Sequence, residues 1–202
     1  MSETTLIVDA KQYFDALQIV IAGLSHEGVD AIADELMGAY QAGRKVFLFG
    51  NGGSASLASH FACDLGKGTA YCNGGKRFRV MALTDNLPVL TAWANDSSYE
   101  DVFSEQLRNF VEPSDVAFAV SGSGNSKNVL KGLRVARDLG ARTIGITGFE
   151  GGKMKDLCDV CVVVQSTDMQ IIEDLHLAMA HALFRIVHAR ITHGVVATAV
   201  AS

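Results

Sequence analysis

His60 and Asp64 stand four residues apart in a stretch of helical apolar spacing, so an imidazole and a carboxylate share one helix face. Far along the chain, Glu173, His176 and His181 fall in a second helical stretch. Two imidazoles and two carboxylates make an N/O donor set for a divalent metal, zinc included, and equally a set of acid–base groups that needs no metal. Taken singly, each has a plainer reading. His60 with Asp64 is a surface helix pair, and a lone His on an apolar helix is a hydrogen-bonded core residue. Spacing within the second helix also divides the set. Glu173 and His181 are eight residues apart, roughly 12 Å along an ideal axis, whereas Glu173 and His176 are i,i+3 neighbours. Helix spacing by itself therefore favours His176 over His181.

Two glycine- and serine-rich junctions supply a different chemistry. Gly50-Asn51-Gly52-Gly53-Ser54 and Ser121-Gly122-Ser123-Gly124-Asn125-Ser126 each follow a short apolar run and precede a helical pattern. Glycine permits tight turns and close backbone approach to a ligand. The helix that follows offers unpaired N–H groups and a positive dipole end, which suit phosphate. One such loop is an ordinary strand-to-helix connection; two at equivalent positions point to a phosphorylated ligand.

The elements that must hold these residues alternate. Helical spacing covers residues 8–23 and 29–42, and Gly43 closes the second helix. Strands are predicted at 45–49, 78–83, 115–120, 142–147 and 159–164, and helices at 55–65, 86–94, 99–110, 125–139 and 168–191, with Ser54 as the cap of the first of these. A polar glycine-rich loop fills 66–77. The pattern predicts a single α/β domain over 1–202: N-terminal helices over about 8–42, then an α/β/α sandwich over about 45–191 around a mostly parallel sheet. The small apolar tail from Gly194 to Ser202 is expected to be loosely ordered.

Composition removes several function classes. A net charge of -5 with no long basic run argues against general nucleic-acid binding. No apolar stretch reaches membrane-spanning length and the start lacks a basic secretion segment, so the expected setting is the cytoplasm, with no membrane partner. Cys158 and Cys161 have the spacing of a redox or zinc pair but run into an apolar strand, and are read as core cysteines. His26, His188 and His193 form no group and are read as surface or packing residues; Trp93 is read as core or interface. Lys67, Lys76, Arg77 and Arg79 lie in a solvated loop that could close over an anion.

The joint set of motifs resembles the sugar isomerase (SIS) domain proteins, and within them the phosphoheptose isomerases. It comprises the two glycine–serine loops, His60-Phe61-Ala62-Cys63-Asp64, Gly151-Gly152-Lys153-Met154, and Ile172-Glu173-Asp174-Leu175-His176 through His181. The resemblance implies a SIS-type fold and a homotetramer with shared active sites. It implies a zinc-dependent aldose–ketose isomerisation of sedoheptulose 7-phosphate, a step toward heptose and lipopolysaccharide synthesis. Metal positions fall on His60, Asp64, Glu173 and His181, and the acid–base pair on Asp64 and His181. Phosphate positions fall on Ser54, Ser121, Ser123 and Ser126 beside Gly52 and Gly53. Asn51 and Asp96 fall at further substrate positions. A group held tightly by a metal loses basicity, so ligation and proton transfer compete at Asp64 and His181. The family usually has Glu where this chain has Asp64, and commonly Gln where it has Glu173. The shorter carboxylate and the added negative charge leave the donor chemistry intact and open the question of the exact sugar. The same plan serves non-catalytic SIS proteins that bind protein partners, modules that sense a phosphosugar, and isomerases of other phosphosugars.

Overall fold

The structure is a computed structural model that describes residues 7–72 and 74–194. The tail beyond Gly194 thus lies outside the described residues. Two helices open the chain, α1 (Ala10–Ala22) and α2 (His26–Ala42), followed by β1 (Lys45–Phe49) and α3 (Gly53–Cys63). Then come β2 (Arg79–Ala82), α4 (Leu87–Asp96), α5 (Ser104–Phe110), β3 (Val116–Ser121) and α6 (Lys127–Asp138). The chain finishes with β4 (Arg142–Thr147), β5 (Val160–Val163) and α7 (Met169–His193).

The five strands are all parallel, in the order β2-β1-β3-β4-β5. Alternation along each strand divides the core in two, because successive side chains point to opposite faces. Val46 and Leu48 join Val116, Phe118 and Val120 on the face packed by α2, α3 and α7. Phe47 and Phe49 join Ala117 and Ala119 on the face packed by α5 and α6. Both faces are covered, which is why the strands read as continuous apolar runs. Cys158 and Cys161 are free thiols of intermediate burial packed against the second core.

Strand order fixes where a ligand can enter. The chain leaves β1 toward β2 on one side and returns to β3 on the other, so the loops after β1 and β3 diverge at the carboxyl edge. That is the switch point at which open parallel sheets bind ligands. Both glycine–serine junctions lie there.

Local departures have physical causes. Gly52, with φ 55°, is the N-cap of α3, and Ser54 lies inside the first turn rather than capping it. A left-handed entry suits glycine and leaves the Ser54 hydroxyl uncommitted to the helix. α2 starts three residues earlier than the apolar period suggests, because the Ser25 hydroxyl accepts from the Gly28 N–H. Residues 99–110 are not one helix: a 3-10 turn at Tyr99–Asp101 precedes α5. The loop expected from residue 66 begins instead with a π-helical turn over Asp64–Gly68, continuous with α3.

Candidate active site

The α3 helix and its π turn run beside α7, and two close contacts seat them. The position a Cβ on Gly68 would take lies 2.6 Å from the Phe184 ring, and on Gly53 it lies 2.8 Å from a carboxylate oxygen of Glu173. A larger residue at Gly68 would press on the Phe184 ring of α7, and one at Gly53 would displace the Glu173 carboxylate. With the helices seated, His60 and His181 face each other: their Nε2 atoms are 3.3 Å apart and the rings meet at 64°. Asp64 Oδ2 stands 3.5 Å from His60 Nε2. One donor atom from each of His60, Asp64 and His181 lies within 4.8 Å of the others. The π turn begins at Asp64, and such turns recur at functional sites.

The three groups fit a divalent ion. Two imidazole nitrogens and a carboxylate oxygen are the donor types of a catalytic zinc site with three protein ligands and an open position. The cluster is open to solvent, with His60 49 % and Asp64 25 % exposed. The structure brings His181, not His176, to His60. Spacing along α7 alone pointed the other way because it ignores the partner helix. Glu173 is not part of the three-residue group; about two turns of α7 separate it from His181, and its carboxylate sits against Gly53.

A cavity of about 270 Å³ joins the cluster to the first loop, lined by Gly53, Ser54, Leu57, His60, Glu173 and His176 among others. His176 is 1 % exposed, and both of its ring nitrogens are buried. Burial pushes its pKa down to about 4, offset only in part by the Thr147 backbone. The ring is therefore neutral near pH 7.

The second loop is buttressed from behind. Gly122 and Gly124 carbonyls accept from the Gly148 and Met154 N–H groups at 2.9 and 3.0 Å. The Asn125 side-chain carbonyl accepts from the Lys153 N–H at 3.1 Å. The Gly151–Met154 motif is thus the support of this loop. Ser126 is the N-cap of α6 but makes no side-chain cap bond, and its hydroxyl stands 3.5 Å from that of Ser121. Ser123 accepts from the Asn125 N–H at 3.2 Å. Hydroxyls and two helix N-termini together suit an anion.

Asn51 is committed within the protein. Its amide pairs reciprocally with buried Asn128 at 2.8 and 2.9 Å, and its carbonyl also accepts from Tyr99 OH at 3.0 Å. This ties the first loop to α6 across the switch point. Sequence reading missed Asn128 and Tyr99; an Asn at a helix start carries no signal of a partner so distant in the chain. Asp96, the last residue of α4, is exposed and bonded to its neighbour Asn95, and does not line the cavity.

A family model for the SIS domain matches residues 12–148. The chain belongs to the SIS-domain family. It is 38 % identical over 176 residues to a probable phosphoheptose isomerase of Thermoplasma acidophilum, covering 87 % of this chain and 96 % of that one. It is 42 % identical over 152 residues to a phosphoheptose isomerase of Aliarcobacter butzleri, covering 75 % and 79 %. A phosphoheptose isomerase structure from Neisseria gonorrhoeae superposes with a TM-score of 0.82 at 27 % identity, covering 89 % of this chain and 96 % of that one. The parallel sheet flanked by helices is the SIS-type fold, and the chain is an enzyme of the phosphosugar isomerase class. None of its described helices is long and apolar enough to cross a membrane.

Proposed function

We propose that this enzyme interconverts sedoheptulose 7-phosphate and D-glycero-D-manno-heptose 7-phosphate in heptose synthesis, as a cytoplasmic homotetramer that uses a divalent metal, zinc being the ion the donors suit. The observation that carries the proposal is the meeting of His60, Asp64 and His181, with His60 also lining a cavity that Ser54 lines. In this reading the phosphate docks on the hydroxyls of Ser54, Ser121, Ser123 and Ser126 and on the N-termini of α3 and α6. That anchor sets the opposite end of the sugar against the histidine–aspartate cluster.

Ketose-to-aldose conversion takes a proton from carbon 1 and returns one to carbon 2 through an enediol, while the hydroxyl proton passes from oxygen 1 to oxygen 2. Asp64 and His181 carry these transfers, facing the substrate from two helices. When bound, a divalent ion would be held by His60, Asp64 and His181 and would supply Lewis-acid polarisation of the sugar oxygens; Glu173, a further ligand in the family resemblance, would have to leave its place against Gly53 to join them. Asn51, fixed by Asn128 and Tyr99, holds the first loop in register with the second.

Support for a heptose substrate comes from the names of the relatives; Asp64 and Glu173 are the residues that would tune it. The test is turnover of sedoheptulose 7-phosphate beside pentose and hexose phosphates. Product from the heptose alone, or fastest from it, is expected. Faster turnover of a shorter phosphosugar would reassign the substrate, and tight binding without turnover of any would replace the enzyme by a sensor.

A further inference from the structure

Two thiols that the sugar site does not use meet at the edge of the sheet. In a straight strand, residues three apart point to opposite faces, which would part Cys158 from Cys161. The chain instead bends at Asp159, and β5 begins only at Val160. Cys161 pairs with Gly145 of β4. The residues flanking Cys158 are tied to Thr143 of the same strand: the Leu157 carbonyl accepts from the Thr143 hydroxyl at 3.1 Å, and the Asp159 N–H donates to the Thr143 carbonyl at 2.8 Å. Both sulfurs therefore stand over Gly145. A Cβ there would lie 2.8 Å from Cys158 Sγ and 3.2 Å from Cys161 Sγ, so the missing side chain makes room for the pair.

The surroundings give the two sulfurs different chemistry. Each thiol is the largest influence on the acidity of the other: hydrogen bonding to Cys161 pushes Cys158 up, and hydrogen bonding from Cys158 holds Cys161 below the ordinary thiol value. Burial and the Asp159 carboxylate also push Cys158 up, against Arg137. Lys155 favours the Cys161 thiolate, against burial and Asp156. The thiolate is the nucleophile in sulfur chemistry, so Cys161 is the attacking group and Cys158 the one that follows. Both residues are only partly buried, on the outer strand of the sheet.

We propose that Cys158 and Cys161 form a thiol–disulfide exchange site whose co-substrate is a low-molecular-weight disulfide. The Cys161 thiolate attacks one sulfur of that disulfide, breaking its S–S bond and expelling a thiolate, which takes up a proton. Cys158 then gives up its proton and attacks the Cys161 sulfur of the mixed disulfide, expelling the second thiolate. Two cysteine thiols are oxidised to one disulfide while one disulfide is reduced to two thiols. In a reducing compartment the pair rests as the dithiol and closes only when disulfide accumulates. Its neighbour is the support of the second glycine–serine loop: the Met154 methyl meets the same Gly145 position at 2.9 Å, and the Met154 N–H donates to the Gly124 carbonyl. The site stands independently of the phosphosugar reading.

Mass spectrometry of the folded full chain after incubation with glutathione disulfide tests the site. Trypsin cleaves after Lys155 and Arg185, which puts both residues and no other cysteine on one peptide. That peptide should lose two hydrogens, and dithiothreitol should restore them. Cys158→Ser should trap a stable glutathione adduct on Cys161. Cys161→Ser should gain its adduct on Cys158 at least about tenfold more slowly, because burial and Asp159 still hold that thiol protonated. Both hydrogens retained in wild type would overturn the site. So would lasting glutathione adducts on both wild-type residues, since the sulfurs would then be unable to close on each other. Equal adduct rates in the two Ser variants would overturn the division between attacking and resolving thiol. Should the Ser variants fail to fold, the loss and return of the two hydrogens in wild type decide alone.

Discussion

At the scale of the residue, the site combines exposed groups that meet a substrate with one group sealed beneath them. His176 makes that burial measurable. Its pKa is held near 4 against 6.5 for an ordinary His, chiefly by burial. Between those values the unfolded chain binds a proton that the folded chain refuses, so stability falls as pH drops from about 6.5 through about 4. Chemical denaturation from about pH 7.5 to about pH 5 should cost wild type roughly 2 kcal/mol more than His176→Asn; parallel curves would contradict the buried neutral ring. The phosphate serines give a second prediction. Ser54→Ala combined with Ser121→Ala removes two hydrogen bonds and should weaken sugar-phosphate binding roughly tenfold to a hundredfold, with the melting temperature little changed. Unchanged affinity in the folded double variant would remove the loops from phosphate recognition. Legibility at this scale was uneven. The glycine–serine loops could be read because their composition states their conformation. The partnership of His60, Asp64 and His181 could be inferred only from family resemblance, since the Nε2–Nε2 approach of 3.3 Å depends on how two helices pack.

At the scale of the element, the site is an agreement between α7 and the continuous α3–π segment. Strands were the most legible elements, because burial on both faces writes them as apolar runs; the interval 142–147 coincides with β4. Helix ends were less so. Ser54 has the chemistry of a cap, but the positive φ available to Gly52 takes that place. The π turn at Asp64–Gly68 leaves no periodic signature, and it looked like loop because Gly66 and Gly68 fall within it. Gly68 has a packing role. A methyl there would meet the Phe184 ring at 2.6 Å, and overpacking of this kind costs about 1–3 kcal/mol. Gly68→Ala should lower stability by that amount and reduce turnover by displacing His181 from His60. Phe184→Leu added to it should restore part of both, as expected for residues in contact. Purely additive losses in the double variant would mean that Gly68 does not seat α7.

At the scale of the whole molecule, α1 is the element that a single chain does not satisfy. Tyr13, Ala16, Leu17 and Val20 pack toward the core, and the Tyr13 hydroxyl donates to Asp174 at 2.6 Å, which fixes the helix to α7. Yet Phe14, Ile19 and Ile21 remain 63, 75 and 44 % exposed, on both flanks of that inward face. Apolar residues thus extend past the inward face of α1, up to the polar face that carries Lys11, Asp15 and Gln18. A homotetramer would cover these flanks, and light scattering should return a four-chain mass. Phe14→Glu with Ile19→Glu should shift the protein to smaller species. A monomeric wild type, or a double variant that assembles normally, would contradict a role for α1 in assembly. The alternation of strand and helix made the α/β class legible from sequence, because each kind of element carries its own apolar period.

The most direct test of the central claim pairs turnover with metal content in Asp64→Asn and His181→Gln, measured on the same folded preparations with sedoheptulose 7-phosphate. Each substitution keeps much of the shape while removing a proton-transfer group, so each should lose at least roughly 100-fold in turnover. Metal lost together with rate assigns the residue to the ligand set, and metal retained without rate assigns it to proton transfer. Near-wild-type isomerisation by both folded variants would contradict the claim that the cluster of His60, Asp64 and His181 is where the reaction occurs.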